Sequence, residues 1–221
     1  MPILASRGAM SAQGFGMFSQ RRSGFVFVAA GTAAYAASSV SVQLPSGIQS
    51  GDLLLILAGS GNTLTPPSGW TVLVSNGDPT TFHSLWYKIA GSSETAPTVT
   101  GLSYITAVMV AYRNLTNTID INGTVLYNGG SSTLVDTQTV TTTHGNDLVL
   151  STYVSFHTAG AWITTPSGTL MRVNVAAGSF GPGDRGLLIC DENQSAAGAT
   201  AVREAGFTSG TGASGLTTAI Y

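Results

Sequence analysis

The chain has 221 residues, enough for one or two domains with a real core, yet only 8% are Asp, Glu, Lys or Arg, against about 25% in an ordinary soluble domain. Hydrophobic content is 43%, so Gly, Ser and Thr have taken the place of charge, which excludes the low-hydrophobicity, high-charge composition of a disordered chain. A formal net charge of −2 with scattered basic residues leaves no footprint for nucleic acid, and a single cysteine, Cys190, excludes an internal disulfide framework.

Residues 1–22 mix small residues with isolated large apolar ones and show no period. Alone, such a segment cannot bury enough surface to offset the cost of ordering it. It is either a mobile tail or an extended N-terminal arm ordered by a partner, and the arm, docking through Arg7, Phe15, Met17 and Phe18, is the expectation, because solvated tails seldom carry exposed aromatics. Arg21-Arg22, the apolar segment that follows and Ala34-Tyr35-Ala36 imitate an export signal. Residues 25–30 read better as a first strand, since they run straight into further β-like sequence. The longest apolar run, residues 53–58, is far short of the roughly 20 residues that a membrane-spanning helix needs, so no membrane partner is expected.

From Gly24 onward the pattern is strand, turn, strand. Val40, Val42 and Leu44 alternate on one face, and residues 53–57 form a continuous apolar run, as a strand covered on both faces does. Pro66-Pro67-Ser68-Gly69 breaks the chain before a strand at 70–74, and Asn76-Gly77-Asp78-Pro79 is a turn. Further strands are expected at 82–89, 104–112, 136–143, 148–156, 170–175, 187–190 and 216–221, with no helical stripe anywhere. Cys190, beside Leu188 and Ile189, reads as a small core residue.

An internal repeat runs through these elements. Gly51-Asp52-Leu53-Leu54-Leu55 recurs as Asn146-Asp147-Leu148-Val149-Leu150, and Pro67-Ser68-Gly69 recurs in the same order as Pro166-Ser167-Gly168. The first half closes on Ala107-Val108-Met109-Val110-Ala111-Tyr112 and the second on Leu216-Thr217-Thr218-Ala219-Ile220-Tyr221. The expectation is an all-β, jelly-roll-like β-sandwich over residues 23–221. Its two related halves, about 24–115 and 116–221, pair to bury both apolar faces. Leu53, Leu55, Val108, Val110, Leu148 and Leu150 are expected in its core.

With these landmarks the chain resembles a family of β-sandwich domains found in tailed-bacteriophage virion proteins and some bacterial surface proteins. The resemblance rests on Leu44-Pro45-Ser46-Gly47, Gly51-Asp52-Leu53-Leu54, Pro66-Pro67-Ser68-Gly69-Trp70, Trp86-Tyr87-Lys88-Ile89-Ala90, Val110-Ala111-Tyr112-Arg113-Asn114 and Asn146-Asp147-Leu148-Val149. It continues through Asp191-Glu192-Asn193-Gln194 and covers nearly everything past the arm. It implies a structural part of a virion (tail, neck or fibre) assembled in the bacterial cytoplasm. The implied partners are other virion proteins and further copies of the chain. The alternatives are a capsid decoration protein and a module that binds a host surface glycan. The resemblance brings no catalytic residues with it.

The chemistry-bearing residues give no sequence motif. His83, His144 and His157 lack metal-ligand spacing; His144 reads as a turn residue, and His83 and His157 as sheet-face residues. No nucleophile elbow or phosphate-binding loop is present. Asp52 and Asp147 are expected to accept backbone hydrogen bonds in Asx-type turns where a strand begins. Asp191-Glu192 lacks the alternating pattern of a calcium loop. Of Trp86 and Tyr87, which face opposite ways, one should be core; Trp70 should cap a sheet edge; Trp162, in a loop, is the candidate exposed contact. No enzyme activity, cofactor or metal is expected.

Overall fold

The structure, a computed structural model, describes residues 24–77, 81–128, 132–156, 160–181, 183–208 and 212–221. Arg7, Phe15, Met17 and Phe18 of the arm, and His157, lie outside the described residues. Within them every regular element is a strand. The first half holds β1 (Val26–Ala30), β2 (Ala34–Ala36), β3 (Ser39–Ser41), β4 (Leu53–Ser60), β5 (Leu64–Thr65), β6 (Thr71–Gly77), β7 (Phe82–Ile89), β8 (Thr98–Gly101) and β9 (Ile105–Arg113). The second holds β10 (Ile119–Asn122), β11 (Leu126–Asn128), β12 (Leu134–Asp136), β13 (Thr141–Thr142), β14 (Asp147–Ser155), β15 (Trp162–Thr164), β16 (Leu170–Val175), β17 (Gly186–Gln194), β18 (Gly198–Ala199), β19 (Glu204–Phe207) and β20 (Ala213–Ile220).

The two halves have the same strand order. One large sheet runs β1-β9-β4-β7-β6 with β2 also on β9, and the other runs β10-β20-β14-β17-β16 with β11 also on β20. A small sheet β3-β8-β5 accompanies the first, and β12-β19-β15 the second. This is a jelly-roll arrangement in each half. Among the described residues the second half adds the short pair β13-β18. Irregularities repeat as well: β1 bulges against β9 between Phe27 and Ala29, and β10 against β20 between Ile119 and Ile121. β6 and β16 bulge at matching places, next to Val72/Val74 and Met171/Val173. The Pro-Ser-Gly turns precede β6 and β16 equivalently, closed by Trp70 N–H to Pro67 O and by Thr169 N–H to Pro166 O. Their glycines, Gly69 and Gly168, have φ of 78° and 81°, a conformation that a Cβ disfavours.

The repeat predicts one sandwich of two layers, and the structure has four. β4 is apolar on both faces, so each face needs a cover. Leu53, Leu55 and Leu57 meet Leu148, Leu150, Val154, Leu187 and Leu216 of the second half, a core that includes all six residues expected there. Leu54, Ile56 and Ala58 turn the other way, onto Val40, Val99 and the small sheet of their own half. The second half does the same with Tyr153, Leu188, Cys190, Ala205 and Phe207. The large sheets thus pack back to back, and each half closes its own sandwich on the outer side. Both neighbours Trp86 and Tyr87 therefore find apolar cover, one on each face of the sheet.

Candidate functional site

Polar groups sit at both ends of the layer between the halves. At one end His83 on β7 is fully buried, with Nδ1 3.1 Å from Ser214 Oγ and Nε2 3.0 Å from Thr152 Oγ1. Ser214 donates its hydroxyl to the Val154 carbonyl at 3.4 Å, which makes Nδ1 the donor to Ser214 and Nε2 the acceptor from Thr152. Burial pushes the imidazole down to about 3, so it is neutral. At the other end Asp191 on β17 accepts from Tyr112 Oη at 2.8 Å and from Arg172 Nε at 2.7 Å. Arg172 also lies over the Phe27 ring, 4.5 Å from its centroid. Each cluster joins one half to the other. Asp191 and Glu192, the latter paired with Arg203, are thus engaged by arginines.

The strand-start aspartates differ. Asp52 accepts a backbone hydrogen bond at the strand start, as expected, but from the Gln49 N–H at 2.7 Å, three residues back, and not from the N–H two residues ahead that defines an Asx-type turn. It also takes a bidentate pair of 2.7 Å bonds from Arg113 Nε and Nη2. The Arg113 bonds hold its carboxyl below the ordinary range against the opposing effect of burial. Asp147 departs from the expected turn: it is fully buried, and neither carboxyl oxygen meets a protein donor. The register explains the difference. Leu53 lies opposite Tyr112 and Leu148 opposite Ile220, so Tyr221 occupies the place of Arg113.

What faces Asp147 is a second carboxylate. Asp120 is the bulged residue of β10, and the bulge aims its side chain at the start of β14. Thr143 donates to it twice, through its N–H at 2.6 Å and through its hydroxyl, and His144 Nδ1 stands 3.1 Å from Oδ1. Burial works to raise the Asp120 carboxyl, and the Thr143 donors overcome it and hold it at about 2. Asp147, desolvated and beside that anion, is pushed up to about 7, and can bond to Asp120 only by keeping a proton of its own. The His144 ring stacks on Tyr221, with centroids 4.2 Å apart, which fixes its plane. One ligand atom from each of Asp120, His144 and Asp147 falls within 4.8 Å of the others. Asp147 is fully buried and the Asp120 side chain is 3% exposed, while the His144 side chain is 44% exposed and opens the cluster to solvent.

Trp162 is not an exposed contact. It lies in β15, paired with β19, and is 5% exposed, its ring against Tyr153 and Phe207 at 5.8 and 5.5 Å. The neighbouring Ile163 takes the solvent-facing side of the strand instead. Trp70 packs at the edge of the first half's outer core, as expected. Burial pushes the Cys190 thiol up to about 11, so it stays protonated and unreactive.

The fold and its junctions define a class of architecture, a doubled jelly roll joined back to back. No protein-family model, curated protein or solved structure matches this chain.

Proposed function

We propose that this chain is a non-enzymatic structural component of a tailed-phage virion, tail-, neck- or fibre-associated, and docked by residues 1–22. The observation that carries this reading is the fusion of two equivalent jelly rolls through an apolar central layer, pinned at both ends by His83 and by Tyr112-Asp191-Arg172. Such a unit is stiff, and its buried polar groups serve cohesion rather than a cleft. The resemblance of the sequence motifs to those of virion β-sandwiches supports the same reading. Assembly into a homo-oligomer fits the open sheet edges: Val72 on β6 and Leu170 and Met171 on β16 expose apolar side chains where another copy's strand can add.

The arm is the docking element in this reading. Phe15, Met17 and Phe18 would each contribute roughly 1.5–3 kcal/mol if fully buried in a partner groove, before ordering costs. Deleting residues 1–22 tests it. The truncated chain should fold but no longer enter particles assembled without the full-length protein; incorporation equal to the full chain refutes docking by the arm. A receptor- or glycan-binding role is the second reading, favoured by one surface feature. Tyr35 stacks between Tyr104 and Phe180, and these two outer residues are 41% and 45% exposed.

A further inference from the structure

We propose that Asp120, His144 and Asp147 bind one divalent transition-metal cation, of the kind represented by Zn2+, Co2+ and Mn2+. Bound there, the cation serves the second half as the Arg113 guanidinium serves the first. Three independent observations converge on this site. Asp147 is fully buried with both oxygens lacking a donor, although its counterpart Asp52 accepts from Gln49 and Arg113. Buried carboxylates are stable when paired or when they coordinate a metal, and here the internal cation has been replaced by Tyr221. The bulge then brings in a second carboxylate instead of a cation, so two acids and an imidazole converge within 4.8 Å.

The donor set selects the cation class. Two carboxylates suit Mn2+ and Zn2+, and an imidazole nitrogen disfavours Ca2+ and Mg2+, which take oxygen ligands. The outer contacts are already in place. Thr143 holds Asp120 as an anion, and the Tyr221 ring sets the plane of the imidazole, as supporting groups do around metal ligands. Exposed His144 leaves the remaining coordination positions open to water. The bound ion would tie β10, the loop before β14 and the first residue of β14 together.

The full-length chain, stripped with EDTA and freed of chelator, is titrated with Co2+, then with Zn2+, with Ca2+ as the hard-cation arm. The expected result is one Co2+ per chain, with visible d–d absorption and no thiolate charge-transfer band, displaced by Zn2+. Zn2+ at a hundredfold excess over Kd should raise Tm by about 5–10 °C. Asp147→Asn reproduces the shape of the protonated acid and should fold, yet weaken Co2+ binding by a factor of about 10 or more, and exposed His144→Gln should do the same. Three results would overturn the proposal: no saturable binding, binding untouched by both substitutions, or Ca2+ bound as tightly as Zn2+.

Discussion

Acidification should weaken this fold through His83 before its ordinary carboxylates protonate. The imidazole hydrogen-bonds Ser214 and Thr152 across the central layer, and burial lowers it from 6.5 to about 3. A base whose folded value is depressed binds fewer protons folded than unfolded between those two limits, so stability falls as pH drops through the window. The full shift of about 3.5 units corresponds to about 5 kcal/mol below pH 3, and the part already lost at pH 5 is about 2 kcal/mol. Urea unfolding at pH 7, 6 and 5 measures it, with His83→Gln as the comparison that does not titrate. At pH 7 the variant should be about 1–2 kcal/mol weaker, since Gln cannot satisfy both hydroxyls. Between pH 7 and 5 the native chain should lose about 2 kcal/mol more than the variant. Asp147, raised to about 7, works in the opposite direction, but it is common to both proteins and cancels in the difference. Parallel pH profiles for the two proteins would refute a neutral, buried His83.

Three further substitutions probe the layer between the halves. A Cβ on Gly59 would stand 2.6 Å from Val154 Cγ1 and 2.9 Å from Arg185 Cβ, so Gly59→Ala should cost about 1–3 kcal/mol. Val154→Ala should recover part of that loss in a double-mutant cycle by chemical denaturation; strict additivity would contradict the close approach of the sheets. Tyr112→Phe removes one of the two donors to buried Asp191 and should cost about 1–3 kcal/mol in the same assay, with no loss if that bond is immaterial.

The long strands were legible in the sequence because burial on both faces leaves an unmistakable apolar run. The expected strands at 82–89 and 170–175 coincide with β7 and β16, and those at 53–57 and 148–156 fall on β4 and β14. The short outer strands were not legible. The expected strand at 136–143 is divided between β12 and β13, which pair with different partners, β19 and β18. Three-residue β15 is held by β19 rather than by its own propensity, which is how Trp162 came to read as a loop residue. The acidic cluster left no spacing motif because Asp120 and His144 come from separate segments. A signal did exist in the repeat, but matching Tyr112 to Tyr221 slips the register by one residue. The structure sets Tyr112 against Ile220 and Arg113 against Tyr221, and only that register exposes the missing guanidinium.

The two junctions are also joined through the chain. The segment joining the halves touches both: Asn117 donates to the Gly51 carbonyl at the first junction, and Thr118 exchanges backbone bonds with Tyr221 at the second. Asn114 and Asn117 hold φ of 69° and 62°, conformations that Asn tolerates better than most residues, so the segment turns tightly between them. Tyr221 in turn stacks on His144, which faces Asp120 and Asp147. A continuous set of contacts thus runs from His144 through Tyr221 and Thr118 to Asn117 and Gly51, next to the Asp52-Arg113 junction. The first half is locked by a covalent part of its own chain, whereas the second leaves its lock to protons or to an ion. The two equivalent halves thus differ in their partners at this strand pair, which lies where the halves meet.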